Sequence, residues 1–195
     1  MSARIFSGAV PIGAWPSDAR SIAYGDGLFE TLRVHRGAMP WWDAHWGRLA
    51  LGARRLRMAL PDQAQVRDEA VALFDDRCDG VLKLLLSRGG EGRGYTPSLA
   101  AEPLWMLSRH ALPMDVHVRL RLRWCDIRHA SQPALAGLKH CNRLEQVLAR
   151  AECLDAGVDE GLMLDGSGAV VSATAANVFV LDGGCWKTPV LDTAG

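Results

Sequence analysis

The chain has 195 residues, with 22 basic and 22 acidic side chains that cancel to a formal net charge of +0, and 49% of its residues are hydrophobic. That balance gives no basic footprint for nucleic acid or an anionic membrane, so any small anion has to be held by local groups. No apolar run is long enough to span a bilayer and no basic-then-apolar leader opens the chain, which sets the expectation of a cytoplasmic protein with no membrane partner. Cys78, Cys125, Cys141, Cys153 and Cys185 are scattered without paired ligand spacing. They predict reduced, mostly buried thiols, with neither a disulfide frame nor a metal site.

Residues 1–22 are short apolar pieces broken by Gly8, Pro11, Gly13 and Pro16, consistent with edge strands and turns. Tyr24-Gly25-Asp26-Gly27 then leads into an alternating run to Val34. It predicts a turn and a strand with Phe29, Thr31 and Arg33 on one face and Leu28, Glu30, Leu32 and Val34 on the other. An amphipathic helix is expected over 43–58, with Asp43 as N-cap and Trp46, Leu49, Ala53 and Leu56 on one stripe. A second helix over 63–75 follows Pro61. On the first helix His45 and Arg48 stand three apart and project to one side, which from spacing alone suits a partly solvated polar face.

Gly80 to Arg88 reads as a buried strand running into the glycine-dense loop 89–95. This loop lacks the Gly-Lys-Ser/Thr ending of a nucleotide cradle and precedes no helical pattern, so a nucleotide site is rejected. Another strand is expected at 104–107, and Ala111-Leu112-Pro113 marks the boundary between a domain over 1–110 and another over 111–195. Val116, Val118, Leu120, Leu122 and Trp124 alternate with His117, Arg119, Arg121 and Arg123. That pattern predicts a half-buried strand with its basic face in solvent. An irregular connection over 126–138 delivers the chain to Lys139.

Leu144, Val147, Leu148, Ala151 and Leu154 recur at helical spacing, with Asn142 as N-cap and Gly157 at the C′ position. Lys139 thus precedes a helix N-terminus, where the dipole disfavours an ammonium. A lysine that loses its proton near neutral pH can form a Schiff base, while a solvated loop lysine is the plain alternative. Beyond the helix, strands are expected at 160–165, 169–172 and within 173–181.

The string Gly137-Leu-Lys-His-Cys-Asn-Arg-Leu-Glu-Gln146 resembles the lysine motif of the 4-amino-4-deoxychorismate lyases, a branch of the fold-type IV pyridoxal-phosphate enzymes that also include branched-chain and D-amino acid aminotransferases. Further similarities keep the family order from about Ala23 to Gly195. The resemblance implies a two-domain α/β fold of the fold-type IV aminotransferase-like kind and pyridoxal 5'-phosphate as cofactor. It makes Lys139 the catalytic, cofactor-bearing lysine. His45-x-x-Arg48-Leu49 looks like the motif whose arginine holds the cofactor phosphate, a task that suits a planar, permanently charged guanidinium. Phe29, Glu30 and Thr31 become candidate walls of the site. Arg93 and Tyr95, otherwise ordinary loop residues, match the pair that grips a substrate carboxylate. Asn177 matches the asparagine that follows a run of small residues at a strand end.

Ser172 stands where the family pattern carries a glutamate beside the pyridine nitrogen. A hydroxyl cannot hold the ring proton as firmly as a carboxylate, so the electron sink is expected to be weaker and elimination favoured over amino transfer. The similarity also implies further strands and helices after Gly195, so the second domain reads as incomplete. The implied activity is conversion of 4-amino-4-deoxychorismate to 4-aminobenzoate and pyruvate, in folate biosynthesis, by a homodimer acting on a small carboxylate. A D-amino acid or branched-chain aminotransferase would share nearly every site residue, and an inactive scaffold or dimerisation partner is the reading from a different class.

Overall fold

The computed structural model describes residues 2–90, 94–113, 119–192 and 194. By their contacts they fall into two units, Met1–Met114 with Lys139–Asn142, and Asp115–Leu138 with Arg143–Gly195. The sequence reading divides the chain at Ala111-Leu112-Pro113. However, the four-residue lysine segment belongs by its contacts to the first unit, although the sequence reading assigns it to the second.

The first unit contains β1 (Ala3–Ser7), β2 (Val10–Ile12), the single turn α1 (Arg20–Ala23), β3 (Gly27–Val34), α2 (Trp42–Leu56), α3 (Gln63–Ala72), β4 (Gly80–Ser87) and β5 (Leu104–His110). Its sheet has the order β2-β1-β5-β4-β3 and is antiparallel throughout. Alternation decides the faces. Leu28, Leu32, Val34, Leu82, Leu84, Leu86, Trp105 and Leu107 are buried, as are Leu49 and Ala53 of α2 and Val66 and Ala70 of α3. Thr31, Arg33 and Lys83 are exposed on the opposite face.

The start of α2 differs from expectation. Its N-cap is Trp41, with φ +67° and no side-chain cap bond, and Asp43 falls in the first turn instead. There its charge still faces the positive helix end. At the other end, Arg88 donates from Nη1 to the Arg57 carbonyl (2.8 Å) and from Nη2 to the Leu56 carbonyl (2.6 Å), satisfying carbonyls that a helix end leaves open.

Asp26 holds Arg88 in that position. It accepts from Arg88 Nε at 2.9 Å and from Arg20 Nε at 2.8 Å. Burial alone would raise its pKa, but the hydrogen bonds and charges of Arg88 and Arg20 together outweigh burial and hold it below the ordinary value of 3.8. A carboxylate depressed in the fold contributes stability above its unfolded pKa and loses it as pH falls through the folded one. Below about pH 4, therefore, the native chain should lose urea stability along a slope that Asp26→Asn lacks; superimposable acid profiles would refute the assignment.

The second unit contains β6 (Leu122–His129), α4 (Leu144–Asp155), β7 (Glu160–Asp165) and β8 (Val170–Ala173), followed by a hairpin of β9 (Val180–Asp182) and β10 (Cys185–Lys187). Strands β6 and β7 are parallel and linked through α4, and β8 returns antiparallel to β7. The core is Cys125, Ala149, Cys153 and Met163, with Ile127 and Val158 half-buried against it. Here the helix approaches the sheet through small side chains. A methyl on Gly161 would lie 2.4 Å from Cys125 Sγ and 2.7 Å from Cys153 Sγ, so only glycine fits.

Three expectations are corrected in this unit. The strand runs over 122–129 rather than 116–124, residues 116–118 lying outside the described ones, and the connection begins only after His129. Its faces are inverted. Leu122 and Trp124 are exposed while Cys125 and His129 are buried, and Arg123 turns inward to the Glu152 carbonyl at 3.2 Å and the Glu152 carboxylate at 3.3 Å. In α4 the buried residues are Ala149 and Cys153, while Leu144, Val147, Leu148 and Leu154 face outward. Small residues bring the helix close enough for the sulfur-lined core, and the larger aliphatic stripe lies on the other side. Of the cysteines, Cys125 and Cys153 are buried, Cys141 is half-buried, and Cys78 and Cys185 are exposed. Burial and the neighbouring Cys153 push the Cys125 thiol up to about 11, so it is inert.

Candidate active site

Strand β3 lies at the edge of its sheet, where unpaired backbone groups invite a partner. The lysine segment supplies one. Phe29 N–H donates to the Lys139 carbonyl and Cys141 N–H to the Gly27 carbonyl, each at 2.9 Å, with Leu28 and His140 bridged antiparallel. This register sets Lys139 opposite Phe29 on one face. The Lys139 ammonium lies 4.5 Å from the centre of the Phe29 ring, and the Lys83 ammonium lies 5.4 Å from the same centre. Thr31, the register partner of Lys83, is on this face too.

The same pairing explains the Gly-Asp-Gly turn. Gly25 has φ +64°, and a methyl there would fall 2.0 Å from Asn142 Oδ1. Asn142 is thus committed to the turn, and the N-cap of α4 is Arg143, without a side-chain cap bond. Gly25→Ala combines a left-handed backbone with a side-chain collision, so it should cost about 2 kcal/mol or more in denaturant titration. An unchanged midpoint would show that Asn142 does not pack there.

On the buried face of β3, Glu30 is 1% exposed and receives two side chains of α2. Arg48 donates from Nε to Oε1 (2.7 Å) and from Nη2 to Oε2 (2.5 Å), and His45 Nδ1 lies 2.7 Å from Oε2. The Glu30 hydrogen bonds raise the Arg48 guanidinium above its ordinary value, overcoming partial burial. The expected His45/Arg48 pair therefore shares a buried carboxylate rather than forming a solvated face. Glu30, taken as a wall residue, instead orients Arg48. Lys139 and Arg48 address consecutive residues of β3 from opposite faces.

Arg93 lies outside the described residues. Tyr95 is 87% exposed, its ring edge-on to Tyr24 at 5.5 Å, and the adjoining Gly94 donates to the Tyr24 hydroxyl (2.9 Å) and accepts from Arg20 (3.0 Å).

Within the second unit, Ser172 on β8 is half-buried, and its Oγ is 3.3 Å from His129 Nε2. His129, 4% exposed, lies 3.1 Å through Nδ1 from Glu145 Oε2. Asn177 is exposed, beyond a tight turn in which Ala173 N–H donates to the Ala176 carbonyl at 2.9 Å. Glu160 braces that turn, accepting from the Thr174 hydroxyl and from its N–H. The sequence reading missed His129, Glu145 and Lys83 as site candidates. Lys83 was within reach of strand alternation, which places it across from Thr31.

Among the described residues no group of three or more His, Cys, Asp or Glu is placed to hold a metal ion, and no helix is long and apolar enough to cross a membrane. An antiparallel sheet whose edge strand pairs with a lysine-bearing segment and a βαβ unit in the second half of the chain match the α/β class of fold-type IV pyridoxal-phosphate enzymes. The amino-transferase class IV profile matches residues 27–195, and the chain belongs to that family.

An aminodeoxychorismate lyase of Vibrio harveyi is 36% identical over 169 residues, which cover 84% of this chain and 62% of that protein. A putative branched-chain-amino-acid aminotransferase of Methanocaldococcus jannaschii is 29% identical over 174 residues, covering 86% of this chain and 60% of its own length. The crystal structure of 4-amino-4-deoxychorismate lyase from Pseudomonas aeruginosa superposes with a TM-score of 0.88 at 42% identity, covering 98% of this chain and 72% of that one. The chain thus spans under two thirds of the length of these two sequence relatives. Pyridoxal phosphate is the cofactor of the family, and each unit taken by itself carries groups that fit it: an amine beside an aromatic ring and a half-exposed guanidinium in the first, a hydroxyl backed by imidazole and carboxylate in the second.

Proposed function

We propose that the chain belongs to a pyridoxal-phosphate-dependent lyase that converts 4-amino-4-deoxychorismate to 4-aminobenzoate and pyruvate. The observation that carries this reading is the zippering of Lys139 onto β3 with its ammonium at the Phe29 ring. Bound pyridoxal phosphate supplies the electron withdrawal that acidifies the substrate's α-hydrogen. Lys139 would hold the cofactor through Nζ and, when freed by the substrate amine, would accept that proton. The resemblance gives the phosphate to Arg48, whose guanidinium lies on the face of β3 opposite the Lys139 amine, so a single cofactor would have to reach both around the edge of that strand. Glu30 uses the Arg48 Nε and Nη2 donors, but a guanidinium carries five N–H bonds, so holding a phosphate does not require Glu30 to let go. Ser172 would face the ring nitrogen, and Asn177 would help to hold the cofactor. Phe29 and Thr31 wall the substrate, and Arg93 and Tyr95 grip its carboxylate. The electron pair left on the α-carbon would break the substrate's carbon–oxygen bond, the departing enolate would take a proton from Lys139 to become pyruvate, and the carbocycle would become aromatic. The same resemblance supports a homodimer in the cytoplasm.

The deciding experiment is borohydride reduction with pyridoxal phosphate followed by peptide mapping. The chain has only three lysines, Lys83, Lys139 and Lys187, so the result is a three-way choice, and the label should fall on Lys139. Absence of any label, or its location on another lysine, defeats the proposal. Release of pyruvate without a keto-acid acceptor separates the lyase from an aminotransferase.

A further inference from the structure

Ser172 is not an isolated hydroxyl. It ends a chain of side chains drawn from β8, β6 and α4, namely Ser172 Oγ to His129 Nε2 (3.3 Å) and His129 Nδ1 to Glu145 Oε2 (3.1 Å). The other Glu145 oxygen accepts from Ala130 N–H at 3.0 Å, which fixes the carboxylate. An ionised carboxylate only accepts, so Nδ1 carries a proton toward it. In the neutral imidazole, Nε2 must then accept the Ser172 O–H, leaving the Oγ lone pairs to accept from outside. With Nε2 protonated as well, Nε2–H donates to Oγ and the Ser172 O–H donates outward. The direction of the hydroxyl therefore follows the proton count of a buried imidazole.

We propose that Glu145, His129 and Ser172 form a proton relay that does at one remove what a carboxylate in contact would do at the cofactor's ring nitrogen. The deduction rests on the proposed cofactor site and deepens it. One proton is shared between the ring nitrogen and His129 Nε2 by way of the Ser172 hydroxyl. Glu145 is the countercharge in both arrangements. If the proton is on the ring, the ring N–H donates to Oγ and Oγ–H to Nε2. If it is on His129, Nε2–H donates to Oγ and Oγ–H to the ring nitrogen. In either case a positive charge stays within two hydrogen bonds of the ring nitrogen. Ser172 thus does not imply loss of the electron sink. Asp165, the register partner of His129 on β7, is the other acidic group at this end, and its carboxylate is taken by Ser167 and by the Ala169 N–H. That leaves Glu145 as the carboxylate the relay uses.

Nitrogen NMR supplies a test that does not depend on turnover. In the ¹⁵N-labelled protein without cofactor, His129 should show a protonated Nδ1 and an accepting Nε2, and Ser172→Ala should move the Nε2 resonance alone. With ring-¹⁵N pyridoxal phosphate bound, the ring-nitrogen and His129 Nε2 resonances should report one shared proton. Ser172→Ala should uncouple them, and Glu145→Gln, which keeps the size of the side chain, should shift the ring resonance toward unprotonated pyridine. A protonated Nε2 with bare Nδ1 in the free protein overturns the relay, as does a ring nitrogen that titrates identically in native protein and Ser172→Ala. Failure of the native chain to take up the labelled cofactor overturns the cofactor reading itself, and is told apart because the ring signal is then absent rather than unmoved.

Discussion

Lys139→Ala is expected to abolish borohydride-trappable cofactor and to lower lyase turnover by about 10³-fold or more, since it removes both the covalent anchor and the proton acceptor. The fold should survive the change. The backbone carbonyl of residue 139, which accepts from Phe29 N–H at 2.9 Å, is kept by alanine, and the contact of the ammonium with the Phe29 ring is lost. Circular dichroism should accordingly match that of the native protein. Lys83 is the internal rival, with its ammonium 5.4 Å from the same Phe29 ring. If Lys139→Ala still yields a trapped adduct and retains turnover, and mapping puts the label on Lys83, the catalytic amine has been misassigned.

Legibility in the sequence followed from whether an element has one face to bury. The run Leu28 to Val34 alternates on a sheet covered on one side only, so periodicity alone separated Phe29 and Thr31 from Leu28 and Leu32. In β6 alternation again defined two faces, but which one is buried turned on Arg123 folding inward to Glu152 and on Cys125 meeting Ala149 and Cys153, contacts that no local pattern encodes. The aliphatic stripe of α4 misled for a related reason. Hydrophobicity ranks Leu144 and Leu148 above Ala149 and Cys153, whereas close approach to Gly161 demands the smaller pair. The lysine motif was readable from its string of residues, yet its attachment to the first unit depends on the free edge of β3. The relay spans separations of 16 and 43 residues, so only tertiary structure brings its members together. The Glu30–Arg48 pair spans 18 residues, and its two partners were each noticed without being joined.

Glu30→Ala is expected to have the second large effect, and to act on stability and cofactor affinity together. Glu30 is 1% exposed and holds two side chains of α2, so its loss leaves a guanidinium and an imidazole facing an emptied buried position. Removing one partner of a buried pair typically costs 3–5 kcal/mol, and because the Arg48 side chain keeps 42% exposure and regains water, the low end, about 3 kcal/mol, applies. Arg48 would also lose the two bonds that fix its plane. Misaligning charge-assisted bonds of about 1.5–3 kcal/mol should weaken pyridoxal-phosphate binding roughly tenfold to a hundredfold. Glu30→Gln separates the two consequences. It keeps the side-chain volume and one acceptor oxygen, so it should recover the packing share of the lost stability, while cofactor affinity stays reduced because an amide nitrogen then faces a donor. Equilibrium denaturation together with cofactor titration reads both quantities. If Glu30→Ala binds the cofactor as tightly as the native chain, Arg48 does not need Glu30 to present its guanidinium, and the buried pair serves only to pin α2 to β3.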